Sequence, residues 1–123
     1  MSNDIPSLEL AVRCARAADD KLATDIIVLP VGDVLAITEY FVVASASNPR
    51  QVRAITDAVL ATVREQTGRG PLRSEGVGEQ QWVLVDYGDV VVHVFSEEQR
   101  RFYEIERLYK DVQAVDWAGV ELS

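Results

Sequence analysis

The sequence predicts an α/β fold: one domain in which a mixed sheet is flanked by helices. Its apolar residues change period along the chain, from three- and four-residue helical spacing to unbroken or alternating runs, in the order helix, strand, strand, helix, two or three strands, helix. Two helix starts are marked by capping residues, and one tight hairpin is marked by Gly88 and Asp89. The 123 residues, 48% hydrophobic and 26% charged, are enough for a single core without disulfide or metal staples.

From Pro6 to about Leu22, apolar residues recur at Leu8, Ala11, Val12, Ala15 and Leu22, the pattern of a helix with one buried stripe. Pro6 suits the first turn, where its missing N–H costs nothing. Asp25 to Leu29 is a short β-branched run closed by Pro30 and reads as a strand. Val31 to Thr38 has no assignable period. Tyr40 to Ala46 is almost wholly apolar, as expected of a central strand covered on both faces.

Asn48, Pro49 and Gln51 form an N-terminal cap, and the helix they start runs through Val52, Ile55, Val59, Leu60 and Val63 to a left-handed stop at Gly68. Gly68 to Gln80 is loop-rich, with room for one short strand near Leu72. Trp82 to Tyr87 and Val90 to Phe95 then pair across the Gly88-Asp89 turn. That turn sets Asp86 opposite Val91, Val85 opposite Val92, Leu84 opposite His93, Val83 opposite Val94, and Trp82 opposite Phe95. Ser96 and Gln99 make a second capping box, with Glu97 and Glu98 placed well for the helix dipole. The helix is expected to reach Tyr109, with Phe102, Ile105, Leu108 and Tyr109 as its apolar stripe and Glu104, Glu106 and the arginines outward. Residues 111–123 show no period and are expected to be loosely held, so the domain is taken as 1–110 followed by a tail over 111–123.

Composition narrows the function classes. A formal net charge of −8 argues against general affinity for nucleic acid, since phosphate binding draws on clustered Lys and Arg, and suits a basic partner; no direct sequence-specific nucleic-acid binding is expected. No run approaches the roughly 18–20 apolar residues of a membrane span, and the N-terminus lacks a basic region followed by an apolar one, so no membrane association and a cytoplasmic location are expected. The lone Cys14 excludes an internal disulfide or a cysteine-based zinc site and reads as a small buried hydrophobe.

The hairpin's alternation separates two kinds of surface. One face carries Val83, Val85, Tyr87, Val90, Val92 and Val94 and belongs to the core. The other carries Trp82, Leu84, Asp86, Val91, His93 and Phe95, an aromatic and ionisable mixture typical of interface centres. Two readings of it stay open: a docking face, or a face covered by the C-terminal helix with only Asp86 reaching solvent.

Three segments, AADDKLATDIIVL, YFVVASASNPRQVRAI and WVLVDYGDVVVHVFSEEQRRFYEIERLY, in this order and spacing, resemble the Iojap-related ribosomal silencing factors over Ala17 to Tyr109. Ala46 stands where that family commonly has glycine, Glu39 where it has aspartate, and Tyr109 where tryptophan often follows leucine. The resemblance implies a nucleotidyltransferase-like fold without catalytic residues, often dimeric. It also implies docking on the large ribosomal subunit through ribosomal protein L-fourteen, which obstructs subunit joining when nutrients are scarce. On that reading Trp82 is the apolar anchor, Phe95 widens the contact, His93 orients its polar part, and Asp86 with Glu97 and Glu98 meets basic side chains.

Competing chemistry finds weaker footing. A nucleotidyltransferase needs a Gly-Ser turn and paired acids for magnesium, which Ser45, Ala46 and Ser47 imitate only loosely; Asp86 and Asp89 flank the hairpin turn instead of projecting together from one strand. Asp19 and Asp20 point about 100° apart on a helix. His93 has no second histidine to complete a metal site. No catalytic residue, metal or cofactor is expected. The alternatives are a residual nucleotide-binding enzyme and an acidic dimerising regulator of another basic protein.

Overall fold

The structure, a computed structural model, describes residues 5–122; the first four residues and Ser123 of the ranges above lie outside the described residues. The elements are α1 (Ser7–Asp20), β1 (Thr24–Pro30), α2 (Gly32–Leu35), β2 (Tyr40–Ala46), α3 (Pro49–Thr67), β3 (Arg73–Glu75), β4 (Trp82–Asp86), β5 (Val90–Ser96) and α4 (Glu97–Tyr103). Two 3-10 helices follow, Ile105–Tyr109 and Trp117–Gly119. The five strands form one sheet in the order β1-β2-β5-β4-β3. β2 and β5 are parallel and the other pairs antiparallel, which makes the sheet mixed, as the alternation of elements predicts.

Helices α1 and α3 pack on the valine face of the sheet. The α1 stripe is Leu10, Ala11, Cys14, Ala15, Ala17 and Ala18, and its small side chains let the helix lie close to α3 and the strands. Leu22 does not join it: the helix ends at Asp20, and Leu22, at φ 64°, is exposed. Cys14 is fully buried, and burial pushes its thiol up to about 12. On α3, Val52, Ile55, Val59 and Val63 meet Val83, Val85, Val90, Val92 and Val94. Each such side chain contributes roughly 1.5–3 kcal/mol on full burial.

The α3 cap forms as expected: Asn48 Oδ1 accepts from Gln51 N at 2.8 Å, while Gln51 Oε1 reaches back to Ser47 N at 2.7 Å. Gly68 closes the helix at φ 78°. The hairpin adopts the predicted register at all five pairs, from Trp82 with Phe95 to Asp86 with Val91. Its turn is held from three sides. Gly88 N donates to Asp86 Oδ1, Arg69 reaches both Tyr87 O and Asp89 Oδ1, and Ser7 Oγ donates to Asp89 Oδ2. Burial alone raises the Asp89 carboxyl, but the hydrogen bonds from Arg69 and Ser7 outweigh it and hold it below the usual carboxylate range.

The segment 31–38 supplies the short α2 and a left-handed Ala36. The strand expected near Leu72 lies one residue later, at the sheet edge. The last helix differs more from expectation. It ends at Tyr103, because Glu104 turns left-handed (φ 45°, ψ 49°) and the chain continues as a 3-10 helix over Ile105–Tyr109.

Burial explains the break. Arg100, expected outward, is 8% exposed; its Nη1 donates to Ser45 Oγ at 2.7 Å and its Nε to Glu106 Oε2 at 3.0 Å. Glu106 can reach Arg100 only if the chain reverses between them. In consequence Phe102 and Leu108, expected in the buried stripe, are 76% and 77% exposed.

Residues 111–122 run back along β1. Val115 N donates to Val28 O at 2.9 Å, Trp117 Nε1 to Ile26 O at 3.3 Å, and Arg16 Nη2 to Trp117 O and Val120 O. No helix among the described residues is long and apolar enough to cross a membrane.

Arg100→Met leaves Glu106 and Ser45 without their partner in a half-buried site and is expected to cost about 2 kcal/mol. Urea denaturation measures that loss, and faster amide exchange confined to residues 105–109 would identify the clamp as its source.

Candidate functional site

The second face of the sheet carries Phe41, Val43 and Ser45 from β2, Val91, His93 and Phe95 from β5, and Trp82, Leu84 and Asp86 from β4. α4 and the 3-10 helix over Ile105–Tyr109 cover one end of it. Tyr103, 46% exposed, lies 4.7 Å from Trp82 between ring centroids, and Tyr109 meets Phe41 edge-on at 5.5 Å. The other end is an open groove of about 440 Å³. Its floor is Phe41, Leu84, Val91 and His93, and its lips are the exposed Ile37 and Leu72.

Of the residues singled out from the sequence, Trp82, His93 and Phe95 come together as one aromatic stack. Trp82 lies on Phe95 at 4.8 Å and donates from Nε1 to His93 Nδ1 at 3.1 Å. Phe41 meets His93 edge-on at 4.7 Å. Phe95 is fully buried and His93 is 5% exposed, so both support Trp82 from beneath, and Trp82 is the half-buried member that solvent reaches. The face is thus partly covered by α4, a mixture of the two readings the sequence left open.

Asp86 sits at the groove's far end. Its Oδ1 accepts from Gly88 N and its Oδ2 from Arg73 Nε at 3.1 Å. Four strand steps separate it from Trp82, about 13 Å. Glu97 and Glu98 lie beyond the opposite end of the hairpin, beside Asn48, Gln81 and Ser96, so the acids flank the aromatic stack at both ends. Asp86 and Asp89 serve different arginines, Arg73 and Arg69. Among the described residues no group of three His, Cys, Asp or Glu side chains could hold a metal ion.

Sequence reasoning missed Phe41, Thr38, Leu35, Ile37 and Leu72, which complete the groove. Phe41 belongs to a strand read as covered on both faces, but assigning it to His93 requires the parallel register of β2 on β5, which no local signal encodes. Gly76 and Trp82 are coupled in the same hidden way. Gly76 has φ 80°, and a Cβ there would lie 2.1 Å from Trp82 O.

His93 is neutral. Burial pushes its imidazole down from 6.5 to about 4, and no neighbouring charge is a cause of that shift. Because an indole N–H only donates, Nδ1 must be the unprotonated nitrogen and Nε2 carries the proton. Protonating Nδ1 would set two donors against each other.

Fold and site together define a small α/β domain with α1 and α3 on one sheet face and, on the other, an aromatic groove that α4 and the 3-10 helix close at one end. The whole described chain and a little beyond it, residues 4–123, match the family model described as ribosomal silencing factor during starvation. Relatives named ribosomal silencing factor RsfS are 37% identical in Halalkalibacterium halodurans over 92% of this chain and 93% of theirs. In Bacillus subtilis the identity is 37% over 83% and 86%. The maize chloroplastic protein Iojap is 33% identical over 93% of this chain, which spans about half of that longer protein. A crystal structure of a Chromobacterium violaceum protein superposes with a TM-score of 0.81 at 33% identity, covering 97% of this chain and 92% of that one. The chain belongs to the ribosomal silencing factor family.

The buried neutral histidine makes stability pH-dependent with a definite sign. Between pH 6.5 and about 4 the unfolded chain binds a proton that the folded chain refuses, so stability is full above 6.5 and falls as pH drops through this window. The loss attributable to His93 approaches ~3 kcal/mol. Urea midpoints of wild type and His93→Phe at pH 7 and pH 4.5 check it: wild type is expected to lose more than the variant.

Proposed function

We propose that this chain is a ribosomal silencing factor that binds the large ribosomal subunit through ribosomal protein L-fourteen and blocks subunit joining, repressing translation when nutrients are limiting. Family membership supports the ribosomal role. The single observation that carries the docking mode is the aromatic, partly uncovered second face of the sheet around Trp82. Apolar surface of that kind, rimmed by acids, fits a partner that is basic and presents apolar side chains. The net charge of −8 works in the same direction by steering association with a basic protein.

In this reading Trp82 is the anchor, with Phe95 and His93 as its underlay. Asp86, Glu97 and Glu98 form acidic rims on either side, and Arg73 exchanges its contact with Asp86 when a basic side chain arrives. The protein acts by occupying a surface, with no bond made or broken, so no cofactor is needed. Action in the cytoplasm, and a second copy of the chain as a further partner, belong to the same proposal.

Trp82→Ala is expected to weaken co-sedimentation with purified large subunits by ~2 kcal/mol or more, about thirtyfold, while the variant stays folded. Undiminished binding by the folded variant would remove Trp82 from the site. For the mechanism, light scattering during mixing of small and large subunits is expected to show reduced joining at saturating protein. Unchanged joining would refute the anti-association role.

A further inference from the structure

Residues 105–109 are lightly held for a segment that covers part of the aromatic face. Tyr109 lies edge-on against Phe41, yet no residue of this 3-10 helix is buried, and Phe102 and Leu108, either side of the turn, are largely in solvent. Among the described residues a single ion pair ties the segment to α4, from Arg100 Nε to Glu106 Oε2 at 3.0 Å. The clamped arrangement also carries two costs. Glu106 Oε1 is sealed from solvent without a partner among the described residues, and Glu104 stands at φ 45°, where an L side chain is crowded by the backbone.

Arg100 has a second carboxylate within reach along its own helix. In a straight helix that keeps Arg100 turned in to Ser45, Glu104 at i+4 lies about 40° around the axis from it and can replace Glu106. Glu106 then finds Lys110, again four residues on and in the favourable order. Arg100, Glu104 and Glu106 already line one open cavity of about 450 Å³, so the exchange has room. In that helix Phe102, Ile105 and Tyr109 fall within about 60° of one another, on the side opposite Arg100. The free chain has nothing to cover such a stripe and folds Ile105 and Tyr109 back, half-buried, instead.

Resting on the docking reading above, we propose that residues 104–109 are a hinged flap with two packings: clamped, as in this structure, and straight, with α4 continued to Tyr109. Docking selects the straight one. Straightening lifts Tyr109 from Phe41, which lengthens the open groove, and turns Phe102, Ile105 and Tyr109 toward the ribosomal protein, whose apolar surface covers them. Arg100 stays at Ser45 and Tyr103 stays against Trp82 in both packings. The clamp is therefore an autoinhibitory contact, and affinity falls by the fraction of chains that are clamped.

Two measurements on four proteins test this: 13Cα chemical shifts of residues 104–109 in the free protein, and sedimentation titrations with purified large ribosomal subunits. The proteins are wild type, Glu104→Gly, Glu104→Gln and Glu106→Ala. Glycine enters the left-handed turn freely and weakens a helix that runs through it, so Glu104→Gly favours the clamped flap on both counts. It is expected to keep the turn and to bind about fivefold more weakly. Glu106→Ala removes the tie and is expected to raise the helical shifts across 104–109 and to bind about threefold more tightly. Glu104→Gln keeps an L side chain that can still accept from Arg100, and is expected to stay within about twofold of wild type.

The flap is refuted, with docking intact, if Glu104→Gly and Glu106→Ala move the affinity in the same direction or not at all. Equal weakening by Glu104→Gln and Glu104→Gly also refutes it, because a lost charge then accounts for the effect. Without reference to docking, it is refuted if free Glu106→Ala keeps the left-handed shift of residue 104. If wild type does not bind large subunits, the docking reading falls and the coupling of the flap to it falls too, while the shifts still decide whether the flap has two packings.

Discussion

Strand β5 is hydrogen-bonded along both edges and buried on both faces, and the rest of the molecule is arranged around that demand. Its lower face of valines is met by α1 and α3, a continuous apolar layer that needs no polar specificity. Its upper face, Val91, His93 and Phe95, holds a polar ring among apolar ones and cannot be covered so simply. β2 and β4 flank it and donate Phe41 on one side and Trp82 on the other, so the histidine is enclosed by rings before any helix arrives. What remains for α4 is to close one end, and it leaves the other end open.

The closure depends on a charge brought inward. Arg100 enters the face to reach Ser45, and Glu106 follows to balance it, which forces the left-handed residue between them and splits what would otherwise be one helix. A straight helix would have buried Phe102 and Leu108 and covered a different part of the sheet. The clamp exchanges that apolar burial for a specific placement of Tyr103 against Trp82 and of Tyr109 against Phe41. A buried ion pair contributes little net stability compared with an apolar substitute, so its value here lies in where it puts the chain.

The same economy of polar groups separates the two ends of the hairpin. Around the turn, Asp89, Arg69 and Ser7 satisfy one another, with the Asp89 carboxyl held ionised, and the backbone there is fixed. In the groove a few residues away, His93 is held neutral and only half satisfied, and Thr38 is unsatisfied. The two ends thus differ in charge and in bonding, although the buried Tyr87 hydroxyl beside the turn also lacks a partner among the described residues. Recognition of a partner is proposed for the face around Trp82.

The sequence by itself determined the elements whose signals are local. The Asn48 cap and Gly68 stop bound α3, the Gly88 turn set the hairpin register and therefore which residues share Trp82's face, and the apolar run at Tyr40 marked a central strand. The order and spacing of three segments also carried the family. Tertiary structure alone decided the rest. The tail over 111–122 acquires its place only when Val28 and Ile26 offer their carbonyls, and the end of α4 depends on Ser45, 55 residues away from Arg100. Whether Phe95 is contact or core turned on which helix crosses above it. Periodicity reports which side a residue faces, but what lies on that side is set by partners distant in sequence, and burial follows from them.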